Sequence, residues 1–256
     1  MNSIFVTGAA SGIGKATALL FGRRGWFVGC YDVDEAGAKS VASDIEHGTH
    51  GRIDVASEDS WRAAVGAFDG VAGSRMDVLF NCAGILRMGR FEDIPPDQCR
   101  KQLEVNVMGV VLGIQTSLPL LERTAQREGK AVIVNMSSAS AIYGAPELAV
   151  YSASKFAVRA LTEALDVELQ PKKIRICDVM PGYVDTPMVH SQETKAKTVD
   201  RLGIKLTADD VAATVWKAAH GKGLHYVPQA DLKVLSRLNG LVPELGRLVM
   251  KRLAKV

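Results

Sequence analysis

The sequence predicts an α/β fold: a doubly wound parallel sheet of about seven strands with helices on both faces. Three observations lead there. Short apolar runs alternate with longer amphipathic stretches through most of the chain. The runs are apolar throughout rather than at every second residue, as in strands covered on both faces. The first run leads into a glycine-rich loop, Thr7-Gly8-Ala9-Ala10-Ser11-Gly12-Ile13-Gly14, that opens a helix.

Taken in order, strands are expected at 3–7 (SIFVT), 26–31 (WFVGCY), 51–54, 76–81 (MDVLFN), 131–136 (AVIVNM), 174–179 (IRICDV) and 224–227. Helices are expected near 12–24, 34–46, 58–69, 97–124, 151–170 and 207–220. No repeat or linker interrupts them before residue 228, so one domain over 1–256 is expected. The composition is ordinary for a globular chain, 47% hydrophobic and 23% charged. A net charge of only +3 implies no nucleic-acid partner by charge alone. Cys30, Cys82, Cys99 and Cys177 form no CxxC pair and read as reduced, packed thiols. The first strand starts at Ser3, leaving no room for a signal peptide, and no apolar run approaches a membrane span of ~18 residues. A cytoplasmic location is the expectation. His47, His50, His190, His220 and His225 show no ligand spacing, so no metal site is expected.

The glycine loop could cradle either of two phosphates. A triphosphate loop needs GxxxxGK[ST], but Ala9 and Ala16 stand where its first Gly and its Ser/Thr belong. The GxGxxG dinucleotide pattern has Gly12 and Gly14 but Thr17 as its third member. What remains is TGxxxGIG between a strand and a helix. Gly8, Ser11, Gly12, Ile13 and Gly14 then bring backbone to a pyrophosphate at the positive end of that helix, as in a Rossmann-type fold. Ile13 can pack inward while its amide faces the phosphate. Asp32 follows Gly14 by eighteen residues at the end of the second strand. A carboxylate there accepts from both hydroxyls of the adenosine ribose and repels a 2′-phosphate. No Lys or Arg stands at 9–11 or 31–34, Val33 included, to neutralise one. NAD is therefore expected over NADP. Asp32 or Asp34 could instead cap the next helix.

Tyr151 and Lys155 are four apart on a helix and share a face. A free phenol has a pKa near ~10, and a neighbouring ammonium favours its phenolate. Oxidising an alcohol to a carbonyl requires removal of the hydroxyl proton, and a Tyr beside a Lys suits that role in both directions.

TGxxxGIG, Asn81-Cys82-Ala83-Gly84 and Tyr151-Ser152-Ala153-Ser154-Lys155 together resemble the short-chain dehydrogenase/reductase family, in the family's order, from about residue 3 to 187. The family form of the second motif is Asn-Asn-Ala-Gly; here its second Asn is Cys82. The resemblance implies an NAD-dependent oxidoreductase with Asn106, Ser138, Tyr151 and Lys155 as the catalytic set. Ser138, thirteen residues before Tyr151, takes the role of the Ser that steadies the substrate oxygen. Asn106 matches the Asn that holds a water linking the Lys to solvent; a satisfied core amide is compatible with this. Ser137 and Ser140 read as turn residues. Asn81, Ala83 and Gly84 are implied as cofactor contacts, with Asp54 and Val55 closing the third strand against the adenine. Pro181, Gly182, Val184 and Thr186 are implied to receive the nicotinamide end, and Tyr151 and Lys155 to touch the cofactor as well.

The resemblance places a substrate lid at 186–206. It opens apolar, with Pro187, Met188 and Val189. Ile85, Leu86, Tyr143, Pro146 and Tyr183 are further expected walls, and no Arg or Lys stands out as a clamp for an anion. A lipophilic secondary alcohol or ketone is the expected substrate; a steroid, retinoid, fatty alcohol or hydroxyacyl chain would fit. A homodimer or homotetramer is expected, although the chain ends without the family's usual Thr-Gly-Gln and Asp-Gly-Gly segments. Instead 229–256 is a helical extension, divided near Gly240 and Pro243. Leu232, Leu235, Leu238, Val242, Leu245, Leu248 and Val249 form an apolar stripe. Six Lys and Arg in this tail oppose only Asp231 and Glu244. Two readings stand: a peripheral contact with an anionic membrane, or packing on the body or a second subunit as a roof over the pocket. Two other functions share the fold, a non-catalytic NAD-binding redox sensor and an epimerase or dehydratase. The intact Tyr–Lys–Ser–Asn set argues against the first, and the short chain against the second.

Overall fold

A computed structural model describes residues 1–241 and 243–254. The first half comprises β1 (Ser3–Thr7), α1 (Gly12–Arg23), β2 (Phe27–Asp32), α2 (Glu35–Ser43), β3 (Gly48–Arg52), α3 (Glu58–Val71) and β4 (Val78–Asn81). Then α4 (Pro96–Leu103) passes through a π turn (Glu104–Met108) into α5 (Gly109–Glu128). Next come β5 (Ala131–Met136), α6 (Ala149–Leu169) and β6 (Ile174–Val179). Beyond β6 lie β7 (Val184–Asp185), α7 (Pro187–His190), α8 (Lys197–Leu202), β8 (Leu206–Thr207), α9 (Ala208–His220) and β9 (His225–Tyr226). The chain closes with α10 (Ala230–Leu241) and α11 (Pro243–Ala254).

Seven strands form one sheet in the order β3-β2-β1-β4-β5-β6-β9, every neighbouring pair parallel. β1 shows why a continuous apolar run is needed. Ile4 and Val6 enter the core under α1, α2 and α9, while Phe5 enters the core under α3, α5 and α6. Each core is anchored by aromatic rings. On one face Phe5 stacks on Tyr31 at 4.2 Å, with Trp61 and Phe68 beside it. On the other, Phe21 meets Trp26 and Trp216 edge-on at 5.0 and 4.8 Å. Such ring pairs add about 0.5–1.5 kcal/mol each beyond the area they bury.

The architecture follows the sequence, with three departures. The third strand is Gly48–Arg52, not 51–54, and its residues alternate between exposed and half-buried. It is an edge strand, so the rule that strands here are apolar throughout does not hold for it. Asp54 and Val55 consequently follow β3 in a loop rather than closing it. The last strand shrinks from 224–227 to two residues. The long helix expected at 97–124 runs from Pro96 to Glu128, is interrupted by the π turn at Asn106, and by length and hydropathy alone could cross a membrane. Here its Val110, Ile114 and Leu121 side pack into the sheet core.

The C-terminal tail forms two helices, as expected. Of its apolar stripe, Val242 lies outside the described residues, as do the side chains of Leu245 and Leu248.

Candidate active site

β2 lies on one side of β1 and β4 on the other, so the connections leave in opposite directions and a crevice opens between their C-terminal ends. A cavity of about 500 Å³ occupies this crevice. Its first wall is the glycine loop: Gly8, Ser11, Gly12, Ile13 and Gly14 all line it. The loop is drawn so tight that a Cβ on Gly14 would stand 2.0 Å from the Gly8 carbonyl oxygen. Gly8 itself has φ +70° and passes 3.0 Å from the Ala83 backbone at the position of a Cβ. Only glycine tolerates both demands. Ile13 is half-buried and packs toward the core while still bordering the cavity.

Thr7 holds the two lips together. Its hydroxyl oxygen accepts from the amides of Cys82 at 3.0 Å and Ala83 at 3.1 Å. Cys82, Ala83 and Gly84 thereby line the floor. Burial pushes the Cys82 thiol up to about 12, so it is an unreactive wall residue.

Asp32 ends β2 at the far end of the cavity, beside Val33, Asp54 and Val55. Its Oδ2 accepts from the Ala10 amide and its Oδ1 from the Asp34 amide, each at 3.0 Å. Asp34, not Asp32, caps α2, accepting from Gly37 at 3.0 Å. Asp32 is thus fixed by the glycine loop and keeps lone pairs on both oxygens for a ligand.

At the other end, Ser138, Tyr151 and Lys155 meet in the cavity with Pro181, Gly182, Val184 and Thr186. The Tyr151 ring and the Ser138 hydroxyl both border the cavity. Lys155 is buried; its Nζ lies 5.6 Å from the Tyr151 ring centre and donates to the Met136 carbonyl at 2.9 Å. Burial raises the phenol to about 12, against the lowering effect of Ser138. Burial also lowers Lys155 to about 8. The sequence argument expected the ammonium to lower the phenol. In the protein alone, desolvation of the phenolate dominates, and the lowering influence comes from Ser138 rather than from Lys155.

Two expected site residues stand behind the cavity rather than in it. Asn81 points into the core, where its amide donates to Asn135 at 2.9 Å, and Asn135 in turn donates to Thr162. Asn106, at the π turn, clamps the backbone of Ile85: its Oδ1 accepts from the Ile85 amide at 2.8 Å and its Nδ2 donates to the Ile85 carbonyl at 2.9 Å. A further bond runs from Nδ2 to Ser154 at 3.2 Å. Its side-chain bonds are therefore those of a satisfied core amide. Ser137 is no surface turn residue; buried, it donates to the Lys155 carbonyl at 3.1 Å and ties β5 to α6.

Of the expected substrate walls, Ile85, Leu86, Tyr143 and Tyr183 line the cavity, with Ala145 there in place of Pro146. Tyr183 is held by Thr198 at 2.6 Å. Leu232, Leu235 and Met250, from the tail, also line it. No spacing in the sequence marked Gln229 or Met250 for this position. Among the described residues no cluster suited to a metal ion is found.

Burying Lys155 charged has a cost that can be measured. Its ordinary value is 10.5 and its folded value about 8, so the folded state binds fewer protons between them and stability rises with pH across that window. At pH 7 the penalty is about 3 kcal/mol. Lys155→Met removes it and gives up one hydrogen bond worth about 1–2 kcal/mol. The variant is expected to unfold at an equal or higher temperature than wild type at pH 7, with the advantage gone near pH 10.5. A midpoint several degrees lower at pH 7 would overturn the assignment.

Comparison with known proteins agrees with this geometry. The short chain dehydrogenase family model matches residues 2–197. Cyclopentanol dehydrogenase of Comamonas sp. is 35% identical over 189 residues, covering 72% of this chain and 74% of the relative. The structure of 3-ketoacyl-(acyl-carrier-protein) reductase from Brucella melitensis, complexed with NADH, superposes with TM-score 0.81 at 30% identity over 88% of this chain and 96% of the other. A short chain dehydrogenase/reductase from Burkholderia phymatum, in complex with NAD, superposes with TM-score 0.84 at 25% identity over 95% of this chain and 94% of the other. With the match running from the first strand into the segment beyond β6, and relatives alike at a third of the aligned positions, the chain belongs to the short-chain dehydrogenase/reductase family and is an NAD(P)-binding oxidoreductase of alcohols and ketones.

Proposed function

We propose that the protein moves a hydride between NAD, in preference to NADP, and a lipophilic secondary alcohol or its ketone, with Tyr151 as general acid and base. The observation that carries this reading is the Tyr151 ring 5.6 Å from the buried Lys155 ammonium, with Ser138 in the same cavity as the glycine loop. When bound, the nicotinamide supplies the hydride acceptor or donor.

The chain's own residues account for the rest. The amides of the glycine loop, at the positive end of α1, suit a pyrophosphate. The spare lone pairs of Asp32 suit the two ribose hydroxyls, with Asp54 and Val55 alongside the adenine. Ala83 and Gly84 form the floor, and Pro181, Gly182, Val184 and Thr186 surround the reacting end. A substrate hydroxyl between Ser138 and Tyr151 gives its proton to Tyr151 on oxidation and regains it on reduction. Ser138 donates to the oxygen as charge builds there. Lys155 donates one N–H to Met136 and has two more to offer a ribose or water. Its charge stabilises Tyr151 as an anion. Asn106 is a positioning residue that fixes Ile85 and the loop after β4.

Asp32 and an outward-facing Val33, 62% exposed, support NAD: they offer a 2′-phosphate one repulsion and no cation. The neighbouring structures hold NADH and NAD. The apolar walls Ile85, Leu86, Met188 and Val189 support a lipophilic substrate, and one relative is named for cyclopentanol. Residues 186–206, carrying α7 and α8 over the cavity, serve as the substrate lid. Exposed apolar side chains, Met108 on the π turn and Phe156 and Val167 on α6, support a homodimer or homotetramer.

The test is a panel of lipophilic ketones assayed with NADH and NADPH side by side. NADH is expected to give roughly tenfold or higher kcat/KM. A preference for NADPH would overturn the cofactor reading, and no turnover with any ketone of the panel would overturn the substrate reading.

A further inference from the structure

The family match ends at residue 197, well before α10 and α11. These two helices are nevertheless built into the pocket. Gln229, just ahead of α10, accepts the Gly182 amide on its Oε1 at 2.7 Å. Leu232 presses on the same spot: a Cβ on Gly182 would meet its Cδ1 at 3.1 Å. Leu232 also joins the apolar cluster of Ile142 and Met180. At the other end, the Arg201 guanidinium of α8 donates to the Arg252 carbonyl of α11. Lys205 and Asp231 pair across the rim at 3.5 Å. The tail is therefore tied both to the loop at the reacting end and to the lid.

From these ties and from the lining, we propose that α10 and α11 are the distal wall of the substrate pocket and that Leu235 and Met250 set how large an apolar arm the substrate carries. The proposal rests on the oxidoreductase reading for the position of the reacting carbon. Leu232, Leu235 and Met250 all border the cavity that holds Tyr151. Two charged residues of the same cavity, Lys205 and Asp231, offset each other. A hydrocarbon arm, unbranched or polycyclic and uncharged, matches that wall, whose own three side chains carry no charge. Val234, on the same helix, is 57% exposed and faces away.

The experiment uses the full chain with NADH and two ketones, butan-2-one and decan-2-one. The readout is the ratio of their kcat/KM values, which cancels general damage. Wild type is expected to favour decan-2-one by roughly tenfold or more, since each buried methylene contributes to binding. Leu235→Trp and Met250→Trp fill the wall and are expected to lower the ratio by about tenfold or more. Val234→Trp, on the solvent side, leaves the ratio as in wild type. An unchanged ratio in both wall variants overturns the proposal, as does an equal fall in Val234→Trp. Calorimetric binding of decan-2-one to the enzyme–NADH complex separates this from the reaction reading. If wild type reduces neither ketone but binds decan-2-one, and Leu235→Trp abolishes that binding, the wall stands and the reaction reading fails. If wild type does not bind decan-2-one, the wall is overturned.

Discussion

Tyr151→Phe is expected to lower kcat/KM for ketone reduction by about 100-fold or more while changing the Kd for NADH by less than about twofold. The substitution removes one oxygen and leaves the ring, which packs beside Leu86, Leu148 and Tyr183. Ser138 keeps its bond from the Ser140 amide and so stays in place. What is lost is the group that exchanges a proton with the substrate. The pH profile of the wild type carries a second check. Reduction needs Tyr151 protonated and Lys155 charged. With the phenol raised to about 12 and the amine lowered to about 8, the first group to fail as pH rises is Lys155. Reduction is expected to be flat below pH 8 and to fall above it. Full turnover in Tyr151→Phe would remove Tyr151 from the chemistry, and a fall only near pH 10 would point to a phenol of ordinary acidity.

Asp32→Ala combined with Val33→Arg is expected to shift the ratio of kcat/KM for NADPH over NADH by roughly 100-fold or more toward NADPH. The first change removes the carboxylate proposed to meet the ribose hydroxyls; the second supplies a guanidinium that can grip a phosphate with two donors. Asp32 also accepts from the Ala10 and Asp34 amides, so its loss loosens the glycine loop and weakens both cofactors. The ratio, not either affinity alone, is therefore the measure. A ratio unmoved by the double change would show that Asp32 does not read the ribose.

Much of the fold and the cofactor crevice was legible because those features are local. A glycine loop between strand and helix, a carboxylate ending the next strand, and Tyr and Lys one turn apart each declare themselves over a few residues. What was not legible depended on which neighbour a segment finds. Gly48–Arg52 is polar because it lies at the sheet edge, a position no local pattern reveals. Asn81 is expected from its motif to touch the cofactor, yet its side chain bonds to Asn135 on the neighbouring strand. The π turn at Asn106 answers to the Ile85 backbone, twenty-one residues away. The two readings of the tail stayed open in the sequence because an apolar stripe does not say what covers it. In the structure Leu232 and Leu235 line the pocket while Leu238 of the same stripe is exposed.

The hydroxyl of Thr7, accepting from two successive amides beyond β4, has a thermodynamic consequence. It ties the floor of the crevice to the strand that feeds the glycine loop, and Asp32 ties that loop to β2 in the same way. The surface that meets the dinucleotide is thus assembled by the fold itself, and a cofactor arriving there orders little backbone. Its binding free energy is left almost undiminished by chain entropy. The substrate side differs, since its walls come from the lid and from two helices held by a few side-chain contacts, Gln229 on Gly182, Leu232 on Met180, Lys205 on Asp231 and Arg201 on Arg252. On the proposed reading, cofactor affinity follows the sheet and substrate choice the lid and the two C-terminal helices, which can change without disturbing it.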